Sequence, residues 1–283
     1  MKNTVKHSLA EAARLLQTIP DIDAFFEAHL LLAHTMGKTR SWLFTWPEYE
    51  LSDEDLSLFN TCIERRMLGE PVSYITNSKE FYGLNFKVST HTLIPRPETE
   101  LLVDTALEIL EQVENARILE LGTGSGAITA ALATEKPNWH FLATEINQET
   151  LKVARHNFAN LKIKADTLLS DWFENIPPAG YDLVISNPPY IESFDPHLSQ
   201  GDLRFEPLQA LASGEDGLEA IRSITAGCRQ YLKSGGYLML EHGYNQKVGV
   251  QKLFQATGLQ NIKTLKDFQE NDRITIGLSL IHI

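Results

Sequence analysis

The chain has 283 residues, 43% of them hydrophobic, and a formal net charge of −12. That length fits one large and one small domain, and the apolar fraction excludes wholesale disorder. The acidic balance argues against a protein that grips nucleic-acid phosphates over a broad face, and no apolar run approaches the roughly 20 residues of a membrane span.

Residues 1–70 read as helical. Ser8 and Glu11 have capping-box spacing ahead of Ala12, Leu15, Leu16 and Ile19. Asp21 is the expected cap of a second helix through Phe25, Phe26, His29, Leu30 and Ala33, with Gly37 just past its end. Ser52 is the expected cap of another, in which Leu56, Phe59, Ile63 and Met67 recur every three or four residues until Gly69. From Tyr74 to Ile94 the pattern changes to short β-rich pieces, and Gly83 lies between two aromatic-containing runs in FYGLNFKV, as in a hairpin. Pro97 then occupies a helix-opening position before Leu101, Leu102, Thr105 and Ile109. The expected division is a helical domain over 1–73, a hairpin linker over 74–95 and an α/β domain over 96–283.

Beyond residue 115 strands and helices alternate. Strands are expected at 117–121, 140–145, 181–186 and 237–241, with helices near 126–135, 148–160 and 215–232 between them. Further strands are expected at 262–265 and 273–280. Such alternation predicts a largely parallel sheet covered on both faces.

Two cysteines in a chain this long, Cys62 and Cys228, with no CxxC pair, fit a reducing cytosol and small buried apolar roles. The nine histidines include no HExxH and no Cys/His cluster, and the spacing of His29 and His34 does not put them on one helical face. No metal is expected, and the protein is expected to be cytoplasmic.

Chemistry concentrates in three places. ILELGTGSGAI sets Gly122, Gly124 and Gly126, with Thr123 and Ser125 between them, where the first parallel strand meets the next helix. Glycines there let a ligand approach the backbone, and the helix N-terminus presents free N–H groups; a tight turn with no ligand is the alternative. The GxGxG spacing differs from the GxGxxG dinucleotide fingerprint. Glu145 ends the following strand, where a carboxylate can accept both hydrogens of a ribose diol, so a nucleoside ligand is expected. Glu120, just before the glycines, is placed to hold a ligand's ammonium group. In SDWF, at the end of a third strand, Trp172 is either an adenine-stacking face or core, and Asp171 is a candidate acceptor from an exocyclic amine.

The third place is YDLVISNPPY, an apolar run halted by Asn187, Pro188, Pro189 and Tyr190. Proline carries no N–H and fixes φ, which explains a rigid strand end but not the flanking amide and ring. The Asn187 side-chain oxygen and the Pro188 carbonyl can each accept one hydrogen of a substrate –NH₂, while Tyr190 offers a flat face. Such a clamp suits methyl transfer to a planar nitrogen, whose weak lone pair must be aimed rather than deprotonated first. Asn187 is therefore the candidate catalytic residue.

With GxGxG, the strand-end acid and NPPY in this order, the second domain resembles class I S-adenosylmethionine-dependent methyltransferases, an α/β fold with a mostly parallel Rossmann-like sheet. TLIPRPETE, residues 92–100, and FEPLQALASGEDGL, residues 205–218, closely resemble the peptide chain release factor glutamine methyltransferases, as does the small N-terminal helical domain. The resemblance spans essentially the whole chain. It implies S-adenosylmethionine as cofactor, held by Gly122, Thr123, Gly124, Ser125, Gly126, Glu145, Trp172 and Asn187, and S-adenosylhomocysteine as product. It further implies an acceptor glutamine between Asn187, Pro188, Pro189 and Tyr190. The implied partner is a class 1 release factor, through its Gly-Gly-Gln loop. Segment 191–214, rich in polar residues and turn formers, is expected to wall that glutamine, with a mobile surface loop as the alternative. The N-terminal helices, a module separate from the chemistry, are expected to recognise the factor's body. Nucleic acid and membrane are not expected as partners. A ribosomal-protein glutamine or nucleic-acid adenine amino-methyltransferase shares NPPY and remains the alternative, as does a binding module without turnover.

Overall fold

The computed structural model describes residues 3–177 and 179–280. The chain divides into two compact units. The first runs to Ser78 and includes Ser199–Phe205; the second comprises Lys79–Leu198 and the residues from Glu206 onward.

The first unit is helical: α1 (Val5–Leu16), α2 (Ala24–Met36), α3 (Arg40–Thr45), α4 (Asp53–Met67) and the short α5 (Val72–Ile75). Leu16, Leu31, Leu32 and Phe59 fill its core. Arg66 of α4 is 2% exposed and forks onto Glu27 of α2 (Nε to Oε2, 2.7 Å) while also reaching Asp202, so this buried guanidinium is fully paired as burial requires.

Two helix starts differ from the sequence expectation. α1 begins a turn before Ser8: Thr4 is its cap and accepts from the His7 N–H, and Ser8 is buried within the helix. Pairing of Thr4 with Glu50 holds Thr4 extended, which is what a cap needs. Asp21 does not cap α2. It lies at φ +59, and Asp23, at φ −88 and ψ 89, accepts from the Phe26 N–H at 2.9 Å instead. Gly37 in the left-handed conformation ends that helix as expected. Tyr74, expected to open the β-rich stretch, lies instead in the short helix α5, which Pro71 opens just before it.

In the second unit the hairpin pairs β1 (Ser78–Phe81) with β2 (Leu84–Lys87) across Tyr82–Gly83. A 3₁₀ turn at Pro97–Thr99 leads into α6 (Glu100–Ile109). Then follow β3 (Arg117–Leu121), α7 (Ala127–Glu135), β4 (His140–Glu145), α8 (Gln148–Leu161), β5 (Asp166–Leu169), β6 (Tyr181–Ser186), α9 (Glu219–Gly227), β7 (Leu232–Glu241), α10 (Lys247–Ala256), β8 (Gln260–Lys266) and β9 (Asp272–Leu278). β7 starts earlier than residue 237 because its Leu232 already pairs with Tyr181 of β6, with a register shift before Leu183.

The seven-stranded sheet has the order β5-β4-β3-β6-β7-β9-β8, parallel except for β9, which pairs antiparallel with both neighbours. Its interior strands read as apolar runs because both faces are covered: Ile118, Leu183, Ile185 and Met239 belong to one buried cluster and Leu119, Val184, Leu238 and Leu240 to the other. Strand order reverses between β3 and β6, so their carboxyl ends open a crevice there. The glycine turn follows β3, Glu145 ends β4, and NPPY follows β6.

Candidate active site

A cavity of about 570 Å³ sits over these strand ends, within the usual range for small-ligand sites. Gly122, Thr123, Gly124, Ser125, Glu145, Trp172, Asn187, Pro188 and Pro189 all line it, together with Glu120 and Asp171. Gly126 sits at the start of α7, at φ +86, with its backbone against the Phe158 ring. Tyr190 is the one member of the tetrad away from the wall: it is half-buried and its hydroxyl points to Oε1 of Glu241 at 3.4 Å.

The glycine turn is held from three sides. The Thr123 N–H donates to the Thr144 carbonyl at 2.8 Å, and Gly126 N–H closes the turn onto Thr123. Asn157, buried on α8, donates to the Ser125 carbonyl at 2.8 Å and to that of Lys87, and accepts from the Lys87 N–H. Ser186 Oγ donates to the Leu121 carbonyl at 2.7 Å, which ties the end of β6 to the end of β3 and fixes NPPY beside the glycines.

Glu120 is 1% exposed, and its Oε2 accepts from Thr123 Oγ1, Thr129 Oγ1 and the Thr129 N–H. Burial pushes its carboxyl up to about 7 against the pull of those hydrogen bonds. Glu145 accepts from three backbone N–H groups: Gly124 at 3.1 Å on Oε2, and Ile146 at 3.0 Å and Asn147 at 3.1 Å on Oε1. Burial raises its pKa and those N–H groups oppose the shift. The glutamate arm thus folds back to brace the turn, and Glu145 remains one of the residues lining the cavity. Trp172 takes φ +41, uncommon for a bulky residue, in the turn after β5, which ends at Leu169 before SDWF. This conformation sets Trp172 on the cavity wall rather than wholly in the core.

Of segment 191–214, residues 207, 209, 210 and 212–214 line the cavity. Its ends are pinned together, Ile191 N–H to Leu211 O and Ser213 N–H to Ile191 O. The buried Glu206 carboxylate pairs with Arg96 and accepts from the Ile94 N–H at 2.9 Å, joining FEP to IPRPE.

Residues that the sequence reading missed lie behind Asn187. Its Nδ2 donates to Thr99 Oγ1 at 3.0 Å, and Thr99 Oγ1 donates to Glu241 Oε2 at 2.8 Å. Glu241 ends an apolar strand, the same signal that singled out Glu145, and so was open to the same inference.

A parallel, doubly covered sheet with a GxGxG turn after its first strand, an acid ending the second and NPPY ending the fourth defines a class I S-adenosylmethionine-dependent methyltransferase. Solved structures share the fold: the human METTL16 catalytic domain (TM-score 0.58, 15% identity, covering 88% of this chain and 91% of that one) and a methyltransferase from Pyrococcus furiosus (TM-score 0.52, 17% identity, 77% and 98%). Family models match the PrmC N-terminal domain over residues 7–76 and the methyltransferase small domain over residues 98–200. The release factor glutamine methyltransferase of Vibrio cholerae is 41% identical over 279 residues, covering 98% of this chain and 97% of its own. That of Escherichia coli K12 is 40% identical over 273 residues, covering 96% and 98%. This chain belongs to the release factor glutamine methyltransferase family.

Proposed function

We propose that the chain transfers a methyl group from S-adenosylmethionine to the side-chain amide nitrogen of a glutamine in class 1 release factors, the glutamine of their Gly-Gly-Gln loop. The observation that carries this reading is the shared cavity: the Asn187–Pro188 wall and the glycine turn face the same space. The compartment we propose is the cytoplasm, and no helix among the described residues is long and apolar enough to cross a membrane.

The residues present fit the cofactor. A Cβ at Gly124 would project into open space, with no atom within 4 Å, and one at Gly122 would stop 3.8 Å from the Trp172 ring; the turn is bare where a ligand must approach. Gly122, Thr123, Gly124, Ser125 and Gly126 cradle the cofactor, Glu145 takes its ribose, Trp172 its adenine, and Glu120 its ammonium group. S-adenosylmethionine supplies an electrophilic methyl group on a sulfonium. Asn187 Oδ1 and the Pro188 carbonyl accept the two hydrogens of the acceptor –NH₂, which points its lone pair toward the cofactor side of the cavity. Pro189 keeps this wall rigid, and residues 207–214 exclude water around the glutamine. Asn187 acts by positioning and electrostatics; the amide proton leaves after the carbon–nitrogen bond forms.

The helical unit leaves Phe25, Phe44 and Trp46 more than half exposed, a surface that supports recognition of the release factor's body. The deciding assay mixes the protein with labelled S-adenosylmethionine and unmodified release factor, or its Gly-Gly-Gln→Gly-Gly-Asn variant. Label on the unmodified factor alone is expected. Label on ribosomal protein or nucleic acid instead would replace this acceptor with another glutamine amide or a base amine.

Gly124→Ala separates binding from stability. Its φ of +58 costs an alanine roughly 1–2 kcal/mol of fold stability. The new methyl occupies the ligand's approach, so cofactor affinity should fall by about tenfold or more. Calorimetric titration beside a denaturant melt checks this; unchanged affinity would remove the cofactor from the glycine turn.

A further inference from the structure

Behind the cavity wall, the line from Asn187 through Thr99 to Glu241 has a direction. Thr99 Oγ1 carries one proton. Because it donates to the carboxylate of Glu241 at 2.8 Å, its oxygen is left to accept, and Asn187 must present its –NH₂ to it, at 3.0 Å. The Asn187 oxygen is then turned the other way, toward the acceptor. The geometry points to Thr99 and Glu241 as positioning residues that set which end of the Asn187 amide faces the substrate. This inference rests on the acceptor role given to Asn187 above.

Glu241 stands at a position that does not by itself favour a carboxylate. It is 1% exposed at the end of a central strand, where an apolar residue would pack without penalty. Its other oxygen takes the Tyr190 hydroxyl, so one carboxylate backs both polar members of NPPY. The charged and titratable groups around it are Arg273 of β9, Glu98 of the Pro97–Thr99 turn and Tyr190 itself. Burial is the largest influence and lifts the carboxyl to about 7, against the hydrogen bond from Thr99, the charge of Arg273 and the hydrogen bond from Tyr190.

Protonation reverses the line. A neutral Glu241 can donate to Thr99, Thr99 can then donate to Asn187 Oδ1, and the amide that faces the acceptor becomes a donor, which repels an –NH₂. As pH falls through about 7 the productive orientation is therefore lost. The acceptor amide itself does not titrate in this range, so an acidic limb on kcat reports the protein; Glu120 on the cavity wall is also lifted to about 7, and only the part of the limb that Glu241→Gln removes belongs to Glu241.

Thr99→Val, Thr99→Ser and Glu241→Gln test this. Thr99→Val should lower kcat on release factor by roughly 10–100-fold, with KM for the factor within about threefold of wild type, and Thr99→Ser should restore most of the rate. Glutamine at 241 can accept from Thr99 but cannot ionise, so Glu241→Gln should remove the Glu241 part of the acidic limb and leave that of Glu120. Equal rates for the valine and serine variants, or an unchanged limb in Glu241→Gln, would overturn the proposal.

A second readout needs no acceptor. In ¹⁵N-asparagine-labelled protein, the Asn187 side-chain signal, assigned by its loss in Asn187→Ala, should move with pH in wild type and stay still in Glu241→Gln. If that holds while wild type transfers no methyl to release factor, the acceptor assignment fails and the relay stands. A pH-independent wild-type signal beside normal transfer sinks the relay alone.

Discussion

Replacing Asn187 by alanine should lower methyl transfer to release factor by roughly 10²–10³-fold, by analogy with loss of one preorganised group from a transition-state site. The side chain ends on the cavity wall with its Nδ2 already committed to Thr99 Oγ1 at 3.0 Å. It reaches the reaction without needing to reorganise, which is where such electrostatic contributions are largest. The glycine turn, Glu145 and Trp172 are untouched, so cofactor affinity should change far less than the rate. Single-turnover methylation beside calorimetric cofactor titration measures both. A rate within about threefold of wild type would remove Asn187 from the chemistry. A parallel collapse of cofactor affinity would make it chiefly a binding residue.

Gly217→Ala should damage fold and activity together, although Gly217 is remote in sequence from NPPY. It adopts φ +68, where an alanine costs roughly 1–2 kcal/mol. A Cβ there would overlap the carbonyl oxygen of Tyr190 and come within 2.7 Å of Gln246 Nε2. That same Gln246 nitrogen donates to the Tyr190 carbonyl at 2.9 Å, so the methyl group displaces backbone and tether at once. Overpacking of this kind adds roughly 1–3 kcal/mol. Because the displaced Tyr190 carbonyl is joined to the Pro188 carbonyl through rigid Pro189, a shift of about 1 Å should cost on the order of 10²-fold in rate. Denaturant unfolding and the methylation assay check the two halves. Wild-type stability with wild-type rate would show that the Gly217 turn yields freely.

These effects differ from that of Gly124→Ala for a reason the sequence does not display. All three sites read as turn or motif residues, yet Gly124 faces open space and Gly217 faces another strand's exit. Likewise Ser8 and Asp21 carry good capping chemistry, but Thr4 and Asp23 do the capping. A cap needs an extended backbone at its own position, and for Thr4 that comes with a partner at Glu50, forty-six residues away.

The local and periodic part of the structure was legible in the residues. The strands Arg117–Leu121, His140–Glu145 and Tyr181–Ser186 lie where their apolar runs predict. An apolar run buried on both faces has only one way to satisfy its surface, and glycine, proline and strand-end acids mark where each run must stop. What stands behind each motif came only with the folded sheet: Asn157 bracing the Ser125 carbonyl, Ser186 tying β6 to β3, the Tyr190 hydroxyl set against Glu241, and Thr99 with Glu241 lined up behind Asn187. A hydrogen bond depends on distance and direction between groups that the chain brings together only after the sheet closes. Thr99 and Glu241 are separated by 142 residues in sequence and 2.8 Å in space.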